Sequence, residues 1–288
     1  MKVRASLLAG FAALALCGAV RAQAPVWTVR GPLGKVVLFG SVHLLPKGLD
    51  WRPPALTEAL SQADDIWFEL PINQATDDAA LSMTLRKGRL APGDDLWRRL
   101  TPLQRTRLEA AAATVGIPPQ ALASMRPWFA DLTLSLASDT QAGAQATDGV
   151  ETQIQSGAPP NARRHAFETV VEQVGFLAGG SNAEQIAGLD ETVREMTTDP
   201  DLYARTVQEW MAGDLGGLQR DDLDTLKAAA PATYRRLLLD RNRRWARVLA
   251  RVARGPGVTV VVVGAGHLIG PEGLPALLRA QGFVVDGP

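Results

Sequence analysis

The chain has 288 residues, 46% of them hydrophobic and 21% charged, with 30 basic and 30 acidic side chains in balance. That composition suits a globular protein long enough to bury a sizeable core. The zero balance gives no case for nucleic acid as a partner, and the single cysteine excludes a disulfide framework.

The opening stretch "MKVRASLLAGFAALALCGAVRAQAP" has a basic start, an apolar run and then small residues. This is the pattern of a secretory signal peptide. Cleavage is expected after Ala22, because a cut after Ala24 would leave Pro25 at the new N-terminus. A lipoprotein reading through Cys17 is opposed by the bulky Leu16 before it. The expected organisation is a signal peptide over 1–22 and one domain over 23–288, exported to the periplasm or secreted. The mature chain is then mildly acidic and has no cysteine, so a metal site must use His, Asp, Glu or backbone. Nothing after the leader is apolar enough to span a membrane.

In chain order, "VWTVRG" and "KVVLFG" read as a hairpin around "GPLG". "ALTEALSQA" has apolar residues at helical spacing, and "DIWFELP" reads as a buried strand ended by Pro71. From Thr101, an N-cap followed by proline at the first helical position, to Ser138 the pattern is helical. The piece "DGVETQIQSGAPPNARRHAFETVVEQVGFLAGG" reads as helix, loop, short strand "RRHAFE" and helix. Helical pattern resumes from Asn182 to Arg254, and most arginines of "RRLLLDRNRRWARVLARVAR" form a solvated face. "VTVVVVG" is a continuous β-branched run, expected of a central parallel strand. It is followed by "LPALLRAQ", a helix closed by Gly282, and the strand "FVVD".

Two similar units stand at the chain ends. Each runs strand, Gly-x-x-His-Leu, loop, helix, strand, as in "GSVHLLP" and "GAGHLIG". The expected fold class is α/β: a mixed, mainly parallel sheet built from both ends as two βαβ units, with large helical insertions.

Ligands of open α/β sheets lie beyond the carboxyl ends of the strands. Those ends carry His43, Glu69, Glu168 and His267. Imidazole and carboxylate together suit a divalent metal of the zinc, manganese or cobalt class, with open positions for water. A histidine after a buried strand can also merely cap backbone groups, but two in matched frames favour a site; His43, His267 and Glu69 are the expected ligands, with Glu69 or Glu168 as general base. Glu69 stands in an apolar run, where burial without a partner is costly. Glu168 reads equally as a solvated residue at a helix start, and His165 as a surface residue. Read alone, "GAGHLIG" with Asp286 also resembles a dinucleotide loop. Pro271 between turn and helix, and the few residues after Asp286, oppose that reading.

On "GSVHLLP", "DDIWFELP" and "VVVVGAGHLIGPEGLPALLRAQGFVV", with weaker echoes such as "MRPW" and "DRNRRWA", the chain resembles the TraB/GumN family, which includes the TIKI-type proteases. The resemblance implies a site built on both Gly-x-x-His motifs and metal-dependent hydrolysis of a peptide or protein substrate. It implies His43 and His267 as ligands or catalytic groups, Glu69 and Glu168 as catalytic carboxylates, and Arg241 as a positive charge at the site. The family carries Gly-Leu-Glu-Thr where this chain has "AFET". Two other classes remain open: a non-catalytic protein of the same fold that binds a metal, haem or peptide, and a partner protein acting through its arginine-rich helix.

Overall fold

The computed structural model describes residues 23–288. The leader and its cleavage position lie outside the described residues. The strands are β1 (Val26–Arg30), β2 (Leu33–Ser41), β3 (Leu45–Pro46), β4 (Asp65–Phe68), β5 (Ala144–Gln145), β6 (Arg163–Ala166), β7 (Pro256–Gly264) and β8 (Val284–Asp286). Six of them form one sheet in the order β6-β4-β7-β2-β1-β8. β2, β7, β4 and β6 run parallel, while β1 is antiparallel to both β2 and β8. The sheet is thus mixed and mainly parallel, and both chain ends build its centre.

The valine run of β7 explains that central place. Val260 and Val262 face one apolar core, Val261 and Val263 the other, and all four are fully buried. A strand covered on both faces has no use for polar alternation. The Pro54–Ser61 helix, which links β2 to β4, covers the first face through Leu56, Ala59 and Leu60. The second face is covered by the Leu274–Ala280 helix, which links β7 to β8, and by the arginine-rich Asp240–Val252 helix.

Neighbouring strands β2 and β7 therefore send their crossovers to opposite faces. This is a topological switch point, where open α/β sheets leave a crevice at the carboxyl ends. Their register pairs Gly40 with Val263 and Ser41 with Gly264. The two Gly-x-x-His motifs consequently leave the sheet side by side.

The expected helical block from Thr101 to Ser138 divides into helices Pro102–Thr114, Pro119–Leu122 and Pro127–Gln141. The breaks fall before Pro119 and Pro127, where proline opens a new helix. Thr101 forms a complete capping box with Gln104. The first and last of these helices pack with Asn182–Thr198 around a third core holding Leu108, Leu134 and Leu189. The strand expected over "RRHAFE" ends at Ala166, but its ladder continues, as Phe167 and Glu168 donate to the carbonyls of Phe68 and Glu69. Among the described residues no helix is long and apolar enough to cross a membrane.

Candidate functional site

A cavity of about 300 Å³ opens at the switch point, lined by His43, Glu69, Arg241 and His267 among others. Gly264 is its focal point. A methyl group on it would stand 3.3 Å from Glu69 Oε1, 3.6 Å from His43 Nε2 and 3.7 Å from His267 Cδ2. Both histidines and one of the two expected carboxylates, Glu69, thus meet over a single backbone position.

His267 is held in one tautomer. The Asn242 side-chain amide donates to the Glu272 carbonyl at 2.9 Å, which turns its oxygen toward His267 Nδ1 at 2.5 Å. Nδ1 therefore carries the proton. Nε2 accepts from Arg241 Nη1 at 3.1 Å and lies 3.7 Å from Glu69 Oε1. The ring packs against Trp245, with centroids 4.4 Å apart. Burial pushes its pKa down to about 3, against the pull of Glu69, so His267 is neutral at ordinary pH.

His43 is oriented in the same sense by a different residue. Its Nδ1 bonds to Glu151 Oε1 at 2.7 Å, and the Ser41 hydroxyl donates to the same oxygen at 2.5 Å. Nε2 is left toward the cavity. The Glu151 charge, with the hydrogen bond between them, raises the His43 pKa to about 9. The ring is the open edge of the site: 63% of its side-chain surface is exposed, and solvent moderates the attraction.

Glu69 and Glu168 have separate surroundings. Glu69 Oε1 accepts from the Gly264 N–H at 2.8 Å, and Oε2 accepts from Arg241 and, at 3.4 Å, from Gln173. Burial works against its charge, yet His267, Arg241 and His43 more than offset it and hold its pKa at about 2. With His267 neutral, the standing positive charges beside it are Arg241 and protonated His43. The Glu168 side chain is wholly buried and stands behind Arg241, off the cavity wall. It accepts from Arg241 Nε and Nη2 at 2.8 and 2.9 Å and from Arg244 at 2.7 Å.

Arg241 joins these groups. Its five N–H donors go to Glu168 twice, Glu69, His267 Nε2 and the Leu237 carbonyl. Its guanidinium also lies over the Trp245 ring at 4.7 Å. A fully engaged arginine orients its partners, and it has no N–H left for a substrate. His165 lies elsewhere, stacked on Trp67 and bonded to Asp65 at 2.6 Å.

Sequence reading missed Glu151 and Asn242. Asn242 left a local signal, because it and Arg241 interrupt the buried stripe Trp245, Ala246, Leu249 of their helix. Glu151 left almost none. It is 108 positions from His43 and reaches it because Gly149 opens the Val150–Gly157 helix. A side chain at Gly149 would collide with the His43 carbonyl, 2.0 Å away.

As its side chains lie, the site holds no group of three His, Cys, Asp or Glu that could ligate an ion, among the described residues. The donor chemistry nevertheless fits a divalent cation. Two imidazoles with Nδ1 bonded to a second side chain is how metal-binding histidines are held, and Glu69 adds an ionised oxygen. Ligation at His267 Nε2 would exchange the Arg241 hydrogen bond for the ion, since one lone pair serves one partner.

An α/β sheet with paired Gly-x-x-His motifs at its switch point defines the class. The chain belongs to the TraB/PrgY/gumN family, whose model matches residues 25–286. It is similar to an uncharacterized protein of Treponema pallidum (strain Nichols), 23% identical over 266 residues, covering 88% of this chain and 80% of the relative. It is also similar to the uncharacterized protein YbaP of Escherichia coli (strain K12), 25% identical over 251 residues, covering 84% and 87%. No solved structure matches the chain.

Proposed function

We propose that this chain is an exported, metal-assisted hydrolase acting on peptide bonds. The observation that carries the reading is the common orientation of His43 and His267. Each has Nδ1 tied to a side-chain partner, Glu151 or Asn242, and both rings border the same position over Gly264 beside Glu69 Oε1.

His43 Nε2, His267 Nε2 and Glu69 would hold an ion of the zinc, manganese or cobalt class. Such an ion supplies a polarised carbonyl and an acidified water. The remaining work belongs to the chain. A carboxylate held at about 2 is a weak base near neutral pH, which favours ligation as the role of Glu69. Glu168 fixes Arg241, Arg241 keeps Glu69 ionised, and Asn242 keeps the His267 ring oriented through Nδ1. His43 gives up its second proton when it ligates.

The test is cleavage of a peptide library, followed by mass spectrometry, with each of the three ions. The wild-type chain should cleave, and His43→Ala/His267→Ala should lose at least about 100-fold of the rate, since the ion that these ligands hold supplies most of metal-assisted hydrolysis. Equal turnover by the variant, or no cleavage by an ion-loaded wild type, contradicts the reading; the latter result favours a peptide- or metal-binding protein. Export is tested by fractionating cells that express the full chain. A processed protein beginning at Gln23 supports it, and an unprocessed cytoplasmic one opposes it.

A further inference from the structure

The cavity has a second character away from its polar floor. Trp210, Leu218, Leu223, Leu238 and Ile269 form an apolar wall. Within that lining stand one further carboxylate, Asp222, and, besides Ser41, the Thr206 hydroxyl. Among the described residues the only side-chain hydrogen bond of Asp222 is from Thr206 Oγ1, at 3.2 Å. The nearby arginine, Arg205, is committed to Asp199 and Asp221 at 2.5–3.1 Å. Asp222 therefore lacks a cationic partner, and burial pushes its carboxyl up to about 6.

A half-buried carboxylate is costly without a partner. In a cavity of about 300 Å³, at the small end of ligand sites, the missing partner is supplied by whatever enters. Two features of the wall define its chemistry. The carboxylate calls for a cation with N–H donors, and the apolar surface beside it calls for a hydrocarbon side chain and not a hydrated metal ion. A primary ammonium, with three donors, next to a branched aliphatic group meets both.

From this we infer that Asp222, with Thr206, is a specificity determinant that holds a primary ammonium of a peptide whose adjoining side chain is apolar. The inference rests on the reading of this cavity as a peptide site. The ammonium is a free N-terminus or a lysine side chain, and the two sources are separated in the test.

The experiment is calorimetric titration of the purified chain with three peptides: leucyl-leucine amide, its N-acetylated form, and N-acetyl-lysyl-leucine amide. Cleavage is followed in the same samples. At least one ammonium-bearing peptide should bind about tenfold or more tighter than the neutral one, the strength of a charge-assisted hydrogen bond. Asp222→Asn should remove that preference, so that the charged and neutral peptides bind the variant alike. Preference for the first peptide identifies the N-terminus, and preference for the third identifies lysine. Equal binding of all three by the wild type, no binding at all, or a preference that survives in Asp222→Asn overturns the inference. The wild-type comparison holds whether or not the variant folds. Ammonium-selective binding without cleavage counts against the hydrolase reading and leaves this inference standing; cleavage without selectivity does the reverse.

Discussion

Replacing Arg241 by Met keeps a long apolar side chain in place and removes the cation that, alone among the described residues, touches Glu69, Glu168 and His267 together. Breaking a buried ion pair from one side costs about 3–5 kcal/mol, mainly because a charge stays buried alone. Two features place this site at the lower end. Glu168 keeps Arg244 at 2.7 Å, and Glu69 keeps the Gly264 N–H at 2.8 Å. We therefore expect a loss of about 3 kcal/mol at pH 7 in urea denaturation. The pH dependence gives the reasoning a second handle. In the wild type the folded pKa of Glu69 is depressed to about 2, so its contribution is present above about 4.5 and is lost as pH falls toward 2. In Arg241→Met, Glu69 is buried with less compensation and takes up a proton more readily, which relieves the variant as pH falls. The gap between the two proteins should narrow from pH 7 to pH 4. A cost below about 1 kcal/mol, or a gap that does not change with pH, would refute the view that Arg241 is the counterion of a buried charged site.

Other expectations rest on the same geometry. Glu151→Gln removes the charge that raises His43, so the ring proton resonances of His43 should titrate near the ordinary value of about 6.5; a midpoint that stays near 9 contradicts the assignment. Gly264→Ala places a methyl 3.3 Å from Glu69 Oε1 at a backbone φ of −48° that alanine tolerates. The melting temperature should change little, while affinity for a divalent ion falls about tenfold or more; unaltered affinity would mean the ion sits elsewhere. Glu195 is raised by burial, with Glu191 beside it, to about 7. The folded chain then holds more protons than the unfolded one between about 4.5 and 7, and stability declines as pH rises through that window. Glu195→Gln should be more stable than wild type at pH 8 by roughly 1–2 kcal/mol after solvent screening, and equal to it at pH 4, by urea melts.

The scaffold was largely legible because its signals are local. The valine run of β7, the Thr101 cap and the proline-opened helices each arise from neighbouring residues. The pairing of His43 with His267 was legible for another reason: each motif leaves a strand end, and a parallel sheet gathers such ends on one edge. The partners of those histidines were not legible in the same way. Glu151 reaches His43 through a helix start that is distant in sequence, and nothing local marks it. The roles of the carboxylates were also beyond local reading. Glu69 and Glu168 both end strands, yet only Glu69 lines the cavity, because Arg241 and Arg244 enclose Glu168 from the opposite helix. Arg241 itself was reached through family resemblance; the helix shows it as a polar interruption of an apolar stripe.

The central claim is that His43 and His267 hold one divalent ion between them. Its most direct measurement is the metal content of the purified chain after dialysis against zinc, manganese or cobalt, beside His43→Ala/His267→Ala. One ion per wild-type chain and none in the variant is the predicted result, with about one proton released on binding at pH 7 because His43 must lose one to ligate. Equal metal content in the two proteins would contradict it.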